Sequence, residues 1–106
     1  MRPFRKTLPH QPDRWPFPDP GNTAVITLRR IVNARAPILA VWHNADDGTW
    51  QFLDGSDELD MDEAAVVALQ EIVRLDPSIL ELADLPTGWV VWRPNPSSPW
   101  KRRPEP

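Results

Sequence analysis

Between residues 23 and 53 the chain alternates short apolar runs with polar punctuation. Thr23-Ala24-Val25-Ile26-Thr27-Leu28 is rich in β-branched residues and predicts a first strand. Arg29 to Asn33 continues it as a helical turn or a strand extension that ends before Pro37. The stretch from Ile38 to Leu53 then sets two β-prone runs about a loop ending in Asp47-Gly48, the signature of an antiparallel hairpin. Pairing Trp42 with Trp50 makes the loop odd in length, with Gly48 as its left-handed residue. In that register Ile38, Ala40, Trp42, Trp50 and Phe52 share one face. Leu39, Val41, His43, Thr49, Gln51 and Leu53 share the other, so the aromatics gather on one side of the pleat.

After Leu53 the pattern changes. Asp54 to Glu58 is an acidic loop without helical or strand period, and Asp60-Met61-Asp62-Glu63 places an Asp cap three residues before a Glu. A main helix is predicted from there, with Ala65, Leu69, Ile72 and Val73 as its apolar stripe and Val66 on the shoulder. Asp76-Pro77 stops it and starts a second short helix, with Asp76 as N-cap and Pro77 at the first helical position. Ile79, Leu80, Leu82 and Ala83 bury that turn. Pro86-Thr87-Gly88 marks a turn and Trp89 to Arg93 a last strand closed by Pro94. The order predicts an α+β fold: a small antiparallel sheet of about four strands, with one main helix and a short helix packed on one face.

Proline sharpens the boundaries. Six of the fourteen fall in residues 1–20 and five in 94–106. Proline removes an amide donor and restricts its predecessor, so residues 1–20 are expected as an extended arm, 21–100 as a single domain and 101–106 as a frayed tail. Within the arm, Trp15 and Phe17 are candidates to dock on the domain, since large rings gain by leaving water. With no cysteine there is neither a disulfide nor a thiolate metal site, which suits a cytoplasmic location. The basic start has no apolar run behind it, so no secretory signal is expected, and no run approaches the length of a membrane span. Ten arginines to two lysines, with abundant alanine and proline, match a GC-rich bacterial genome.

Charge is unevenly spread. Residues 23–93 carry five arginines against twelve acids, whereas 1–22 have four basic against two acidic residues and 94–106 have three against one. An acidic domain repels phosphates, which disfavours nucleic acid, and it attracts basic partners. The same acids also serve simply to keep a surface hydrated.

Candidate chemistry is sparse. His43 is the one histidine inside the domain; beside Asp46 and Asp47 it has the elements of a base with an orienting carboxylate, but a lone histidine on a polar hairpin face is more often structural. No Ser or Cys stands at a nucleophile's spacing. The carboxylates from Asp54 to Glu63 do not follow a calcium loop, because Gly55 is second rather than sixth and no Glu is twelfth. No metal, cofactor or catalytic residue is therefore assigned. Six tryptophans are too many for one small core. Trp89 and Trp92 point to opposite faces of the last strand, and tryptophan at a rim either binds a partner or lies under the proline-rich arms.

Residues of about 24–100 resemble a family of small bacterial proteins of unknown function, often regarded as polymorphic-toxin immunity proteins of the immunity protein thirty-three type. The likeness rests on the hairpin from Pro37 to Gly55, on Val67 to Val73, on Asp76-Pro77-Ser78-Ile79, on Leu82 to Trp89 and on Ser98-Pro99-Trp100. If Trp100 belongs to that pattern, the ordered domain runs past Pro94. The resemblance implies an immunity protein, and the leading reading is a non-enzymatic protein-binding domain that neutralises a basic toxin through an acidic surface; the acidic loop and the surplus tryptophans supply Asp54, Asp57, Glu58, Trp89 and Trp92 as its expected contacts. The alternatives are an accessory or regulatory domain with another protein partner and, third, an uncharacterised enzyme.

Overall fold

The computed structural model describes residues 15–56 and 61–106. Its elements are β1 (Ala24–Leu28), α1 (Arg29–Ala34), β2 (Ala40–His43), β3 (Trp50–Leu53), β4 (Ala64–Ala68), α2 (Leu69–Leu75), β5 (Trp89–Trp92) and β6 (Lys101–Pro104). Short 3-10 turns occupy Met61–Glu63 and Pro77–Leu82. The fold is α+β, and the sheet is larger than four antiparallel strands. Among the described residues it has six strands in the order β4-β1-β3-β2-β5-β6, and it is mixed, because β1 runs parallel to β3.

The hairpin forms, with Gly48 at φ 74, but its register is shifted by one residue from the tryptophan pair. His43 opposes Trp50, and Trp42 opposes Gln51. A one-residue slip exchanges the faces of a whole strand. Val41, His43, Trp50 and Phe52 therefore point into the core, and Trp42 points to the other side of the sheet. The physical reason lies at His43. Its ring stacks on Trp50 at 3.8 Å between centroids, and Nδ1 lies 2.8 Å from the Leu85 carbonyl oxygen. A carbonyl only accepts, so Nδ1 carries the proton and the buried imidazole has a partner.

The main helix is shorter than its stripe suggests. Ala64–Ala68 forms β4, antiparallel to β1, and only Leu69–Leu75 is helical. The capping role expected of Asp60 lies outside the described residues. Ala68 offers α2 no side-chain cap. Instead the Leu69 and Gln70 amides donate to the carbonyls of Thr23 and Gly21, each at 2.8 Å, so the segment leading into β1 satisfies two of the orphan donors of the helix. The second start behaves as its sequence predicts: Asp76 accepts from the Ser78 amide with Pro77 next to it, although the turn it begins is 3-10 rather than α.

Helices cover one face of the sheet. Ile31 of α1, Leu69 and Ile72 of α2, and Ile79 and Leu82 pack with Val25, Val41, Trp50, Phe52 and Val91 in one cluster. Burial of this apolar surface is the main term holding the domain together. The end of the arm belongs to that cluster. Phe17 is 4% exposed and meets Trp50 edge-on at 5.4 Å, while Trp50 Nε1 donates to Asp19 at 2.9 Å. The ordered fold thus begins before residue 21. It also extends past residue 100: Lys101–Pro104, expected to fray, pairs with β5 as the last strand. All four of its residues are exposed, so backbone hydrogen bonds rather than burial hold it.

Candidate interaction surface

Asp54 sits at the end of β3, where Arg30 of α1 meets it. Arg30 Nε donates to Asp54 at 2.6 Å, and Nη1 lies 3.7 Å from Glu63. Asp54 also accepts from the Ser56 amide, closing a local turn. The hydrogen bond from Arg30 holds its carboxyl at about 2, well below the ordinary carboxylate value. The carboxylate is thus fully ionised near neutrality, and its charge is spent on pinning the loop to α1. Asp57 and Glu58 lie outside the described residues.

The two tryptophans of β5 diverge as the alternation of the strand requires. Trp89 is cross-strand from His43 and packs against the core, half-buried. Trp92 points to the opposite face, where the Arg103 guanidinium lies 5.3 Å from its ring centroid. That face bears none of the buried helix residues. One row of directly paired residues crosses all six strands on it: Val66, Ile26, Gln51, Trp42, Val90 and Arg103. A second row runs through Leu53, Ala40, Trp92 and Lys101.

Among the described residues no helix packs on this sheet face, whose centre is formed by half-buried Trp42 and Trp92 around a buried Val90, with two cations at one rim. Val90 is 4% exposed at its middle, and Val66, at the far edge, is 70% exposed. Trp42 is the member that sequence reasoning missed, because the tryptophan-paired register turned it inward. The buried environment that His43 requires was the only available signal, and polarity alone argued against it.

Elsewhere the polar groups are committed to structure. Asp47 accepts from the Thr49 amide in the hairpin loop, which lowers its carboxyl, and His43 is held by Leu85 rather than by either loop aspartate. Arg93, 4% exposed, donates to Asp76, Ser78 and the carbonyls of Ile38 and Pro96, and stacks 3.9 Å from the Trp100 ring centroid. A shallow cleft of about 470 Å³ separates Phe17 from Leu80 and Ala83; Asp84 at its rim is taken by Arg102 at 2.8 Å. Among the described residues no three His, Cys, Asp or Glu side chains converge to hold a metal ion, and no helix is long and apolar enough to cross a membrane. No protein-family model matches this chain, and neither the curated proteins nor the solved structures contain a match to it.

Proposed function

We propose that this chain is a non-enzymatic protein-binding domain whose contact surface is the sheet face around Trp42 and Trp92, opposite the helices. The observation that carries the reading is the placement of two large aromatics on the face that the helices leave uncovered. Tryptophan is enriched among residues that dominate binding energy, and both rings are half-buried at this face, so each keeps part of its surface for a partner. The partner surface that fits has apolar groups over the tryptophans and carboxylates opposite Lys101 and Arg103. Electrostatic complementarity there sets orientation and speeds encounter more than it adds affinity.

This reading moves the contact away from the acidic loop, since Asp54 is already neutralised by Arg30. A toxin is the class of partner that the family resemblance implies, and an accessory role with another protein partner is the alternative. The test uses the chain as bait in its native host, with Trp92→Arg, Trp42→Arg and Asp54→Asn in parallel. The reading expects a partner retained by Asp54→Asn and lost by both tryptophan variants. A partner kept by the tryptophan variants and lost by Asp54→Asn would return the contact to the acidic loop. A toxin encoded beside this gene among the captured proteins supports the immunity role; housekeeping proteins alone count against it.

A further inference from the structure

A second cleft, of about 250 Å³, opens where the C-terminal end of α1 meets the end of α2. That is the room of about eight water molecules. Buried Ile31 and Ile38 line it together with Leu75 and Pro96, so its body is apolar. Two charged residues, Arg35 and Asp76, also line it.

Those two charges are not a pair. Asp76 is already satisfied: one carboxyl oxygen accepts from the Ser78 amide and hydroxyl, and the other accepts from Arg93 at 2.7 Å. Arg93 thus neutralises Asp76, and Arg35 remains as the uncompensated charge of the cleft. Among the described residues its guanidinium meets no acceptor, carboxylate or ring. Its exposed side chain stands at the rim. The backbone beneath it is costly as well. Arg35 caps α1 at φ 59 and ψ 31, and among the described residues it alone has a positive φ without being glycine. A helix that closes in this way ordinarily does so with glycine, because a Cβ is crowded there. The chain therefore holds a strained arginine, without a partner, beside an apolar hollow.

We infer that this cleft binds a small organic carboxylate with one short apolar group, the carboxylate held by Arg35 at the rim and the apolar group laid on Ile31 and Ile38. The charge calls for an anion, and the fork of guanidinium donors matches a carboxylate through two parallel hydrogen bonds. The apolar floor calls for a hydrocarbon body, which an inorganic anion lacks. The lining favours a free acid over the end of a peptide. None of its residues belongs to a strand, so a peptide backbone finds no ladder there. A ligand this small makes few contacts, so binding is weak, at about the millimolar level.

The site is independent of the tryptophan surface, and its test needs no protein partner. The full chain is titrated at neutral pH with isocaproate, and backbone amides are followed by NMR. Saturable shifts are expected at Arg35, Ala36 and Ile38, half complete at about 1 mM. Isocaproamide keeps the body without the charge, and acetate keeps the charge without the body; each is expected to bind at least about tenfold more weakly. Arg35→Gly removes the cation and relieves the backbone. It is expected to bind isocaproate at least about tenfold more weakly, with a melting temperature no lower than that of the wild type. A lower melting temperature would mean that Arg35 serves the fold through its charge at the end of the helix, and would overturn the inference. So would a lack of saturation by about 50 mM, equal binding of the amide, undiminished binding by Arg35→Gly, or tighter binding of a peptide that ends in a free leucine carboxylate.

Discussion

Removing Arg93 is expected to cost more stability than any other single change at a polar residue. Its side chain is 3% exposed and joins three segments: it meets Asp76 at 2.7 Å, the Ile38 carbonyl through two donors at 2.9 and 3.1 Å, and Ser78 Oγ and the Pro96 carbonyl at 3.1 and 3.2 Å. Arg93→Ala leaves the Ile38 carbonyl without those donors and strands the Asp76 carboxylate, which keeps only its bonds from Ser78. Breaking a buried pair by deleting one partner costs about 3–5 kcal/mol. A domain of this size has about 5–15 kcal/mol in total. With a urea slope of about 1–3 kcal/mol/M, the unfolding midpoint falls by about 1 M or more, or the variant does not fold. Arg93→Lys keeps the charge but lacks the planar fork, so an intermediate loss is expected. Urea unfolding followed by circular dichroism reads both. A loss below about 1 kcal/mol for Arg93→Ala, the range of an exposed ion pair, would refute the reasoning and mean that this guanidinium is solvated in solution.

Three further outcomes follow from the same structure. Phe17→Ala should cost about 3–5 kcal/mol, the usual range for a buried phenylalanine, and deletion of residues 1–20 should both destabilise the domain and shift tryptophan fluorescence; no change in either would detach the arm from the core. The shifted hairpin register makes Trp42→Gln a surface change expected within about 1 kcal/mol, whereas Trp50→Ala should cost about 3–5 kcal/mol; thermal melts showing the reverse order would restore the tryptophan pair. Asp54 titrates at about 2 in the folded chain, below the ordinary value of 3.8. A depressed folded value means stability present above pH 3.8 and lost as pH falls through 2. Carboxyl chemical shifts should show this titration, and Arg30→Ala should return it towards the ordinary value; an unchanged titration in that variant would remove Arg30 as the cause.

Much of the local structure was legible in the residues. β1 announced itself by its β-branched run, the hairpin by Asp47-Gly48, the second helical start by Asp76-Pro77 and β5 by its Trp-Val-Val-Trp run between Gly88 and Pro94. Each of these signals acts within a few residues, through turn stereochemistry, capping or side-chain period, and so is written in the chain itself.

What only the tertiary structure decided was which surfaces those elements present. Ala64–Ala68 fits a helical stripe as well as a strand, and it becomes β4 because β1 offers it a ladder. The hairpin register turned on a stacked, hydrogen-bonded histidine whose partner, Leu85, is 42 residues away. Lys101–Pro104 has no apolar pattern and becomes a strand only because β5 presents unpaired backbone groups. Asp54 was recognisable as an acid but not as one neutralised by Arg30, 24 residues earlier. In each case the deciding partner is distant in sequence, and the energy of pairing with it exceeds the weak local preference of the segment. The sheet face opposite the helices, with Trp42 and Trp92 upon it, is the sum of those long-range choices.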